Sequence, residues 1–223
     1  MNLIEYADRE LLAISVANVL ASELRKSLTM HDFVSLAVPG GTTPAPIFDL
    51  LSAADLEWGK VHVMLTDERW VDEANDASNA RLVKNHLLTD RAVDAHFLPF
   101  YRDGLSAEAG SAEVASSLQG ELPISVLLLG MGADMHTASL FPASPGLAEA
   151  MAPGAPLLCP ARPPSQDTAR VTLAAHVLKG AMSKHLVIFG DEKRSALEKA
   201  MTLPPQDAPI GAVIGGGTVH WAP

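Results

Sequence analysis

The sixteen residues from Leu127 to Pro142, LLLGMGADMHTASLFP, decide the fold. The apolar run that opens them reads as a strand buried on both faces. It ends in Gly130 and Gly132, and Asp134, His136, Thr137 and Ser139 follow at once. In an open α/β sheet, ligands sit outside the carboxyl ends of the strands, where loops deliver side chains onto a rigid edge. A histidine delivered there exchanges protons near neutral pH. The same arrangement occurs upstream, where strand-like FVSLAV, Phe33 to Val38, breaks into Pro39-Gly-Gly-Thr-Thr-Pro44 and then a helical run. Two such transitions imply one active site built from several strand ends.

Outward from these stretches the chain alternates. Leu12, Val16, Val19, Leu20 and Leu24 fall at helical spacing and predict an amphipathic helix over 7–29. A helix through Ile47 and Leu51, a strand from Val61 to Thr66, and a helix over 78–89 with Ser78 as its cap follow. An extended piece at 96–100, a helix over 106–119 and the strand at 124–129 come next. A Pro-rich irregular stretch is expected at 142–168, then a strand from Arg170 to Leu173, a helix over 174–183, a strand over 185–190 and a helix over 191–202. The tail, with Gly215-Gly216-Gly217, reads as a turn. Strands alternating with helices predict an α/β fold, a single doubly wound and mostly parallel sheet with helices on both faces. With no long linker and no internal repeat, 1–223 is expected to be one domain.

Composition bounds the function. Hydrophobic residues make up 48% of the chain, as a globule with a substantial core requires. No apolar run approaches the roughly 18 residues of a membrane span, and the N-terminus lacks the pattern of a signal peptide. Cys159 is the single cysteine, so no internal disulfide forms and a cytoplasmic location is the default. Against 26 Asp and Glu stand 16 Lys and Arg, a net charge of −10 that repels nucleic acid and anionic membranes on average. An anionic small molecule then needs cations concentrated locally.

Several standard motifs are missing. The PGGTTP loop lacks the Gly-Lys-Ser/Thr of a P-loop, and GMGADM lacks the third glycine of a dinucleotide fingerprint. There is no Gly-x-Ser-x-Gly elbow, and neither His-Glu-x-x-His nor Cys-x-x-Cys supports zinc. What does remain has two readings at each place. Gly40, Gly41, Thr42 and Thr43 form either a plain βα turn or a cradle of N–H and hydroxyl donors for an anion. Arg69, in Asp67-Glu68-Arg69-Trp70, is either half of a surface ion pair or a clamp for phosphate or carboxylate with a carboxylate fixing its orientation. His136 is either a structural histidine or a general base.

Taken in order, PGGTTP, LTDERWVDEANDASNARLVKNHLL, LLLGMGADMHTASLFP, ARPPSQDTARVTL and LVIFGDEKRSAL resemble the 6-phosphogluconolactonase family, over about 33–200. The resemblance implies a Rossmann-like fold of the sugar-phosphate isomerase type, shared with the glucosamine-6-phosphate deaminases. Those typically carry Asp-Glu-Tyr where this chain has Asp67-Glu68-Arg69, and Asn-Glu-Pro where it has Leu140-Phe141-Pro142. Both differences favour the lactonase, the second enzyme of the oxidative pentose phosphate pathway. The implied reaction is hydrolysis of 6-phospho-D-glucono-1,5-lactone to 6-phosphogluconate, with no metal and no organic cofactor. His136 is then the base and Asp134 its orienting partner, with N–H groups near Gly40, Gly41 or Gly132 facing the oxyanion. Asp67, Arg69, Arg162, Arg170 and Lys193 join Thr42 and Thr43 around the phosphorylated substrate. A deaminase or isomerase of the same fold, and a sugar-phosphate sensor without turnover, are the competing readings. Two positions depart from the pattern: Arg162 replaces a frequent lysine, and Met135 replaces a glycine, which would strain the loop if that residue takes positive φ.

Overall fold

The computed structural model describes residues 1–163 and 167–223. Residues 164–166, within the expected irregular stretch and the ARPPSQDTARVTL segment, lie outside the described residues. In chain order the elements are β1 (Asn2–Glu5), α1 (Arg9–Leu28), β2 (Val34–Val38), α2 (Ala45–Ser52), β3 (Val61–Leu65), β4 (Asp67–Arg69), α3 (Asn79–His86), β5 (His96–Leu98), α4 (Ala107–Leu118), β6 (Val126–Leu129), α5 (Leu147–Met151), β7 (Leu158–Ala161), β8 (Arg170–Leu173), α6 (Ala175–Lys179), β9 (Ser183–Phe189), α7 (Gly190–Ala200), α8 (Pro209–Val213) and β10 (Thr218–Ala222). Among the described residues no helix is long and apolar enough to cross a membrane.

Seven strands form one sheet in the order β1-β10-β9-β6-β2-β3-β5, and every pairing in it is parallel. β2, β6 and the inner part of β9 are buried throughout, which is why they read as continuous apolar runs. The chain leaves β2 toward β3 and β5, and leaves β6 toward β9 and β10. The loops after β2 and β6 therefore diverge above a pair of neighbouring strands, the switch point at which such sheets bind ligands. The expected doubly wound sheet is thus observed. In addition, β4, β8 and β7 form a small antiparallel sheet, joined to the large one where Leu173 N–H donates to Thr66 O at 2.9 Å.

Local chemistry sets the helix starts. The Asp8 side chain caps α1 by accepting from Leu11 N–H at 2.8 Å, and Leu12, Val16, Leu20 and Leu24 bury its inner stripe. Ser78 caps α3 as expected, accepting from Arg81 N–H. Three differences from the sequence reading stand out. The expected helix over 174–183 is the shorter α6, because Gly180 follows it and Ser183 already belongs to β9. The irregular stretch contains α5 and β7. The tail, beyond its glycines, is a strand paired on both sides, with β1 on its outer edge.

β9 and β10 carry a buried polar chain. Tyr6 Oη lies 2.8 Å from His220 Nδ1, His220 Nε2 lies 3.0 Å from His185 Nδ1, and His185 Nε2 lies 2.8 Å from Glu23. Burial, then the neighbouring His185, push His220 down to about 4 from an ordinary 6.5. Burial alone would raise Glu23, but hydrogen bonds from His185 and Ser183 overcome it and hold the carboxyl below its ordinary value. Because the folded state keeps His220 neutral, its stabilisation is complete above pH 6.5 and is lost as pH falls toward 4. That loss is up to about 3 kcal/mol. The stability gap between wild type and His220→Asn is therefore expected to narrow across this window. Denaturant melts at intermediate pH values check it, and a constant gap would detach His220 from the titration.

Candidate active site

A cleft of about 290 Å³ opens above the carboxyl ends of β2, β3, β6 and β9. It is lined by Gly40, Gly41, Thr42, Thr43, Asp67, Arg69, Asn79, Gly132, His136, Arg170 and Lys193, among others. The structure thus gathers nearly all the expected site residues in one place. Asp134 is not itself a lining residue, but its carboxylate is bonded to His136, which is. Arg162 does not line the cleft: its exposed guanidinium is paired with Glu108 at 3.1 Å.

The loop after β6 builds an acid–base pair. Asp134 Oδ1 lies 2.5 Å from His136 Nδ1 and also accepts from the His136 backbone N–H at 3.2 Å. A carboxylate oxygen only accepts, so Nδ1 carries the proton and Nε2 is left as the basic atom. The pair packs directly over Gly132, where a Cβ would collide with the His136 ring and the Asp134 carboxylate. The Gly132 N–H is taken up by His136 O at 3.1 Å. That bond removes Gly132 from the expected oxyanion donors and leaves the loop at Gly40 and Gly41. Phe141 packs against His136 with ring centres 4.4 Å apart and planes tilted by 36°, and the Arg170 guanidinium lies over the Phe141 ring at 5.3 Å.

Met135, between the two residues of the pair, has φ 68°, the left-handed conformation that the glycine pattern requires. Its N–H donates to Gly132 O and its carbonyl accepts from Ile210 N–H, so the loop holds it there. Strain of about 1–2 kcal/mol is offset by the packing of a half-buried side chain against the core. Met135→Gly is expected to keep turnover within about an order of magnitude, because relieved strain and lost packing largely cancel. A complete loss, measured in a steady-state assay, would give the methionine a role of its own.

The small sheet supplies charge. β4 and β8 pair Arg69 directly with Arg170. Like charges at such a position repel, and the folded protein keeps both. Burial, then the charge of Arg69, holds Arg170 below the ordinary guanidinium value. Asp67 answers part of this charge, with Oδ2 at 3.9 Å from Arg170 Nη1 and accepting from Ser139 Oγ at 2.6 Å. Arg69 donates through Nη1 to Ala77 O and Asn79 Oδ1. Its Nε is buried with no hydrogen-bond partner among the described residues. The neighbouring Glu68 faces inward and caps α3, accepting from Asn79 and Ala80 N–H at 2.8 Å each. Burial pushes it up to about 7 against those bonds. Gly41 takes φ 87° at the turn of the Gly-Gly-Thr-Thr loop, beside Lys193 from α7 in the cleft lining. Among the lining residues that sequence reasoning did not assign to the site, Asn79 is the one with a polar side chain.

A parallel α/β sheet with an aspartate–histidine pair and a cluster of cations at its switch point defines an enzyme-like site for a small anionic ligand. Comparison with known proteins narrows this. The family description "Glucosamine-6-phosphate isomerases/6-phosphogluconolactonase" matches residues 7–221, and the chain belongs to that family. The 6-phosphogluconolactonase of Pseudomonas aeruginosa is 40% identical over 216 residues, covering 95% of this chain and 90% of its own. The 6-phosphogluconolactonase of Mesorhizobium japonicum is 37% identical over 224 residues, 98% of this chain and 94% of its own. A crystal structure of a 6-phosphogluconolactonase from Shewanella baltica superimposes with a TM-score of 0.96 at 34% identity, covering 100% of this chain and 98% of that one.

Proposed function

We propose that this chain is a 6-phosphogluconolactonase, hydrolysing 6-phospho-D-glucono-1,5-lactone in the oxidative pentose phosphate pathway. The observation that carries the mechanism is the meeting, in one cleft, of the Asp134–His136 pair with the facing arginines Arg69 and Arg170. A lactone carbonyl is already electrophilic, so a positioned water and one base suffice. His136 Nε2 takes a proton from water as its oxygen attacks C1. The oxyanion gathers donors from the loop at Gly40 and Gly41, and the C1–O bond of the ring then breaks as the ring oxygen takes up a proton. Asp134 holds the imidazole in the tautomer that leaves Nε2 free. Arg69, Arg170, Lys193, Thr42 and Thr43 hold the phosphate, with Asp67 orienting Arg170.

On this reading 1–223 acts as a single domain in the cytoplasm, where one buried thiol at Cys159 stays reduced. The test is hydrolysis of freshly generated lactone, corrected for its spontaneous opening, beside an assay for ammonia release from glucosamine-6-phosphate. Acceleration of the first and silence in the second is the expected result. Ammonia release would transfer the chain to the isomerase side of its family. Binding of 6-phosphogluconate with neither activity would make it a sensor.

A further inference from the structure

We infer that Asn79 is a positioning residue, aligning Arg69 and the Gly-Gly-Thr-Thr loop for the phosphate. The inference rests on the reading of Arg69 as a phosphate ligand. Asn79 is 2% exposed, yet it lines the cleft. Its Nδ2 donates to Asp67 O at 2.8 Å and its Oδ1 accepts from Arg69 Nη1 at 3.0 Å. One partner only accepts and the other only donates, so the amide has a single satisfied orientation. A rigid neutral group therefore fixes one edge of the guanidinium. Arg69 Nη1 is directed by Asn79 and Ala77 O, while Arg69 itself still lines the cleft.

The same amide sets the position of the loop. A Cβ on Gly40 would overlap the Asn79 side-chain amide, so the backbone of the loop rests directly on it. Asn79 is held from behind in turn. Its own N–H and that of Ala80 donate to the buried Glu68 carboxyl, which fixes the first turn of α3. The glycine at 40, the arginine at 69 and the asparagine at 79 thus form one unit spanning three segments of the chain. No substitute has this chemistry at this length. Aspartate cannot donate to Asp67 O and places a negative charge against Arg69 in competition with phosphate. Alanine takes the donor from Asp67 O, leaves Arg69 Nη1 with Ala77 O alone and opens a gap beneath Gly40.

The test is a double-mutant cycle read by calorimetric binding of 6-phosphogluconate and by steady-state kinetics. Asn79→Ala is expected to weaken product binding and raise KM by about tenfold, with a smaller fall in kcat because the loop it supports at Gly40 also faces the oxyanion. Asn79→Asp is expected to lose more than Asn79→Ala, and it serves as the isosteric variant should the smaller side chain impair folding. In the Arg69→Ala background, Asn79→Ala is expected to cost clearly less than in wild type, because the part that acts through the guanidinium is gone and only its support of the loop at Gly40 remains. A merely structural role would instead lower the melting temperature and weaken binding by the same factor in both backgrounds, and that result overturns the inference. So does unchanged affinity in Asn79→Ala. Were Arg69→Ala itself without effect, the phosphate role of Arg69 would fall first and the role of Asn79 with it.

Discussion

Replacing His136 with alanine is expected to lower kcat by about 10²–10⁴, the span usual for loss of a positioned general base. Binding of 6-phosphogluconate should stay within a few-fold of wild type, because the cations that hold the phosphate lie on other elements. Those elements are the small sheet and α7. Rapid mixing with fresh lactone separates the two readouts. The geometry argues for so large an effect. The ring has one nitrogen committed to Asp134 and its face packed against Phe141, so it is fixed in both tautomer and angle. The residue that fixes it is itself fixed, since Asp134 also accepts from the His136 backbone N–H and both pack over Gly132. Asp134→Asn should then fall in between, because an amide can present a donor to Nδ1 and leave the proton on Nε2. Unchanged turnover in His136→Ala would remove the residue from the mechanism.

How far the sequence reveals this site depends on how local each signal is. The runs at β2 and β6 are buried on both faces, so each reads as a strand from its own residues. The loops after them carry chemistry that is recognisable without partners. β1 and β10 have no such independence. β1 is a four-residue edge strand that is largely exposed, and it exists because Asn2 to Glu5 pair with Thr218 to Trp221 at the far end of the chain. Long-range pairing overrides weak local preference there. β7 was hidden by Pro160, which a strand tolerates at the edge of a small sheet where no ladder N–H is required. Arg162 and Arg170 look equally suited to phosphate in the linear motif. Glu108, 54 positions away in sequence, draws the first aside, and the ladder with β4 sets the second opposite Arg69. Asn79 carried no signal because its neighbour Ser78 already explained the helix start. Its function appears only when Gly40 and Arg69 are folded against it.

Arg69→Ala is expected to weaken 6-phosphogluconate binding by about 10–100-fold, the worth of a charge-assisted contact of about 1.5–3 kcal/mol. The effect should appear in KM and in product affinity, with kcat little changed, since the phosphate lies remote from the reacting carbonyl. Arg69→Lys should recover part of the affinity, as it restores the charge but not the planar fork. Stability without ligand should barely respond. Without ligand, Arg69 faces Arg170 across a ladder position, so removing one charge relieves repulsion while leaving Asn79 Oδ1 short of a donor. The two changes nearly balance, and the ligand-free melting temperature should stay close to wild type. Added 6-phosphogluconate should then raise the melting temperature of wild type well above that of Arg69→Ala, because stabilisation by a ligand follows its affinity. Retained affinity would return Arg69 to a structural role. A ligand-free variant that unfolds early would show that the guanidinium holds the small sheet together, contrary to the repulsion argued from its place opposite Arg170.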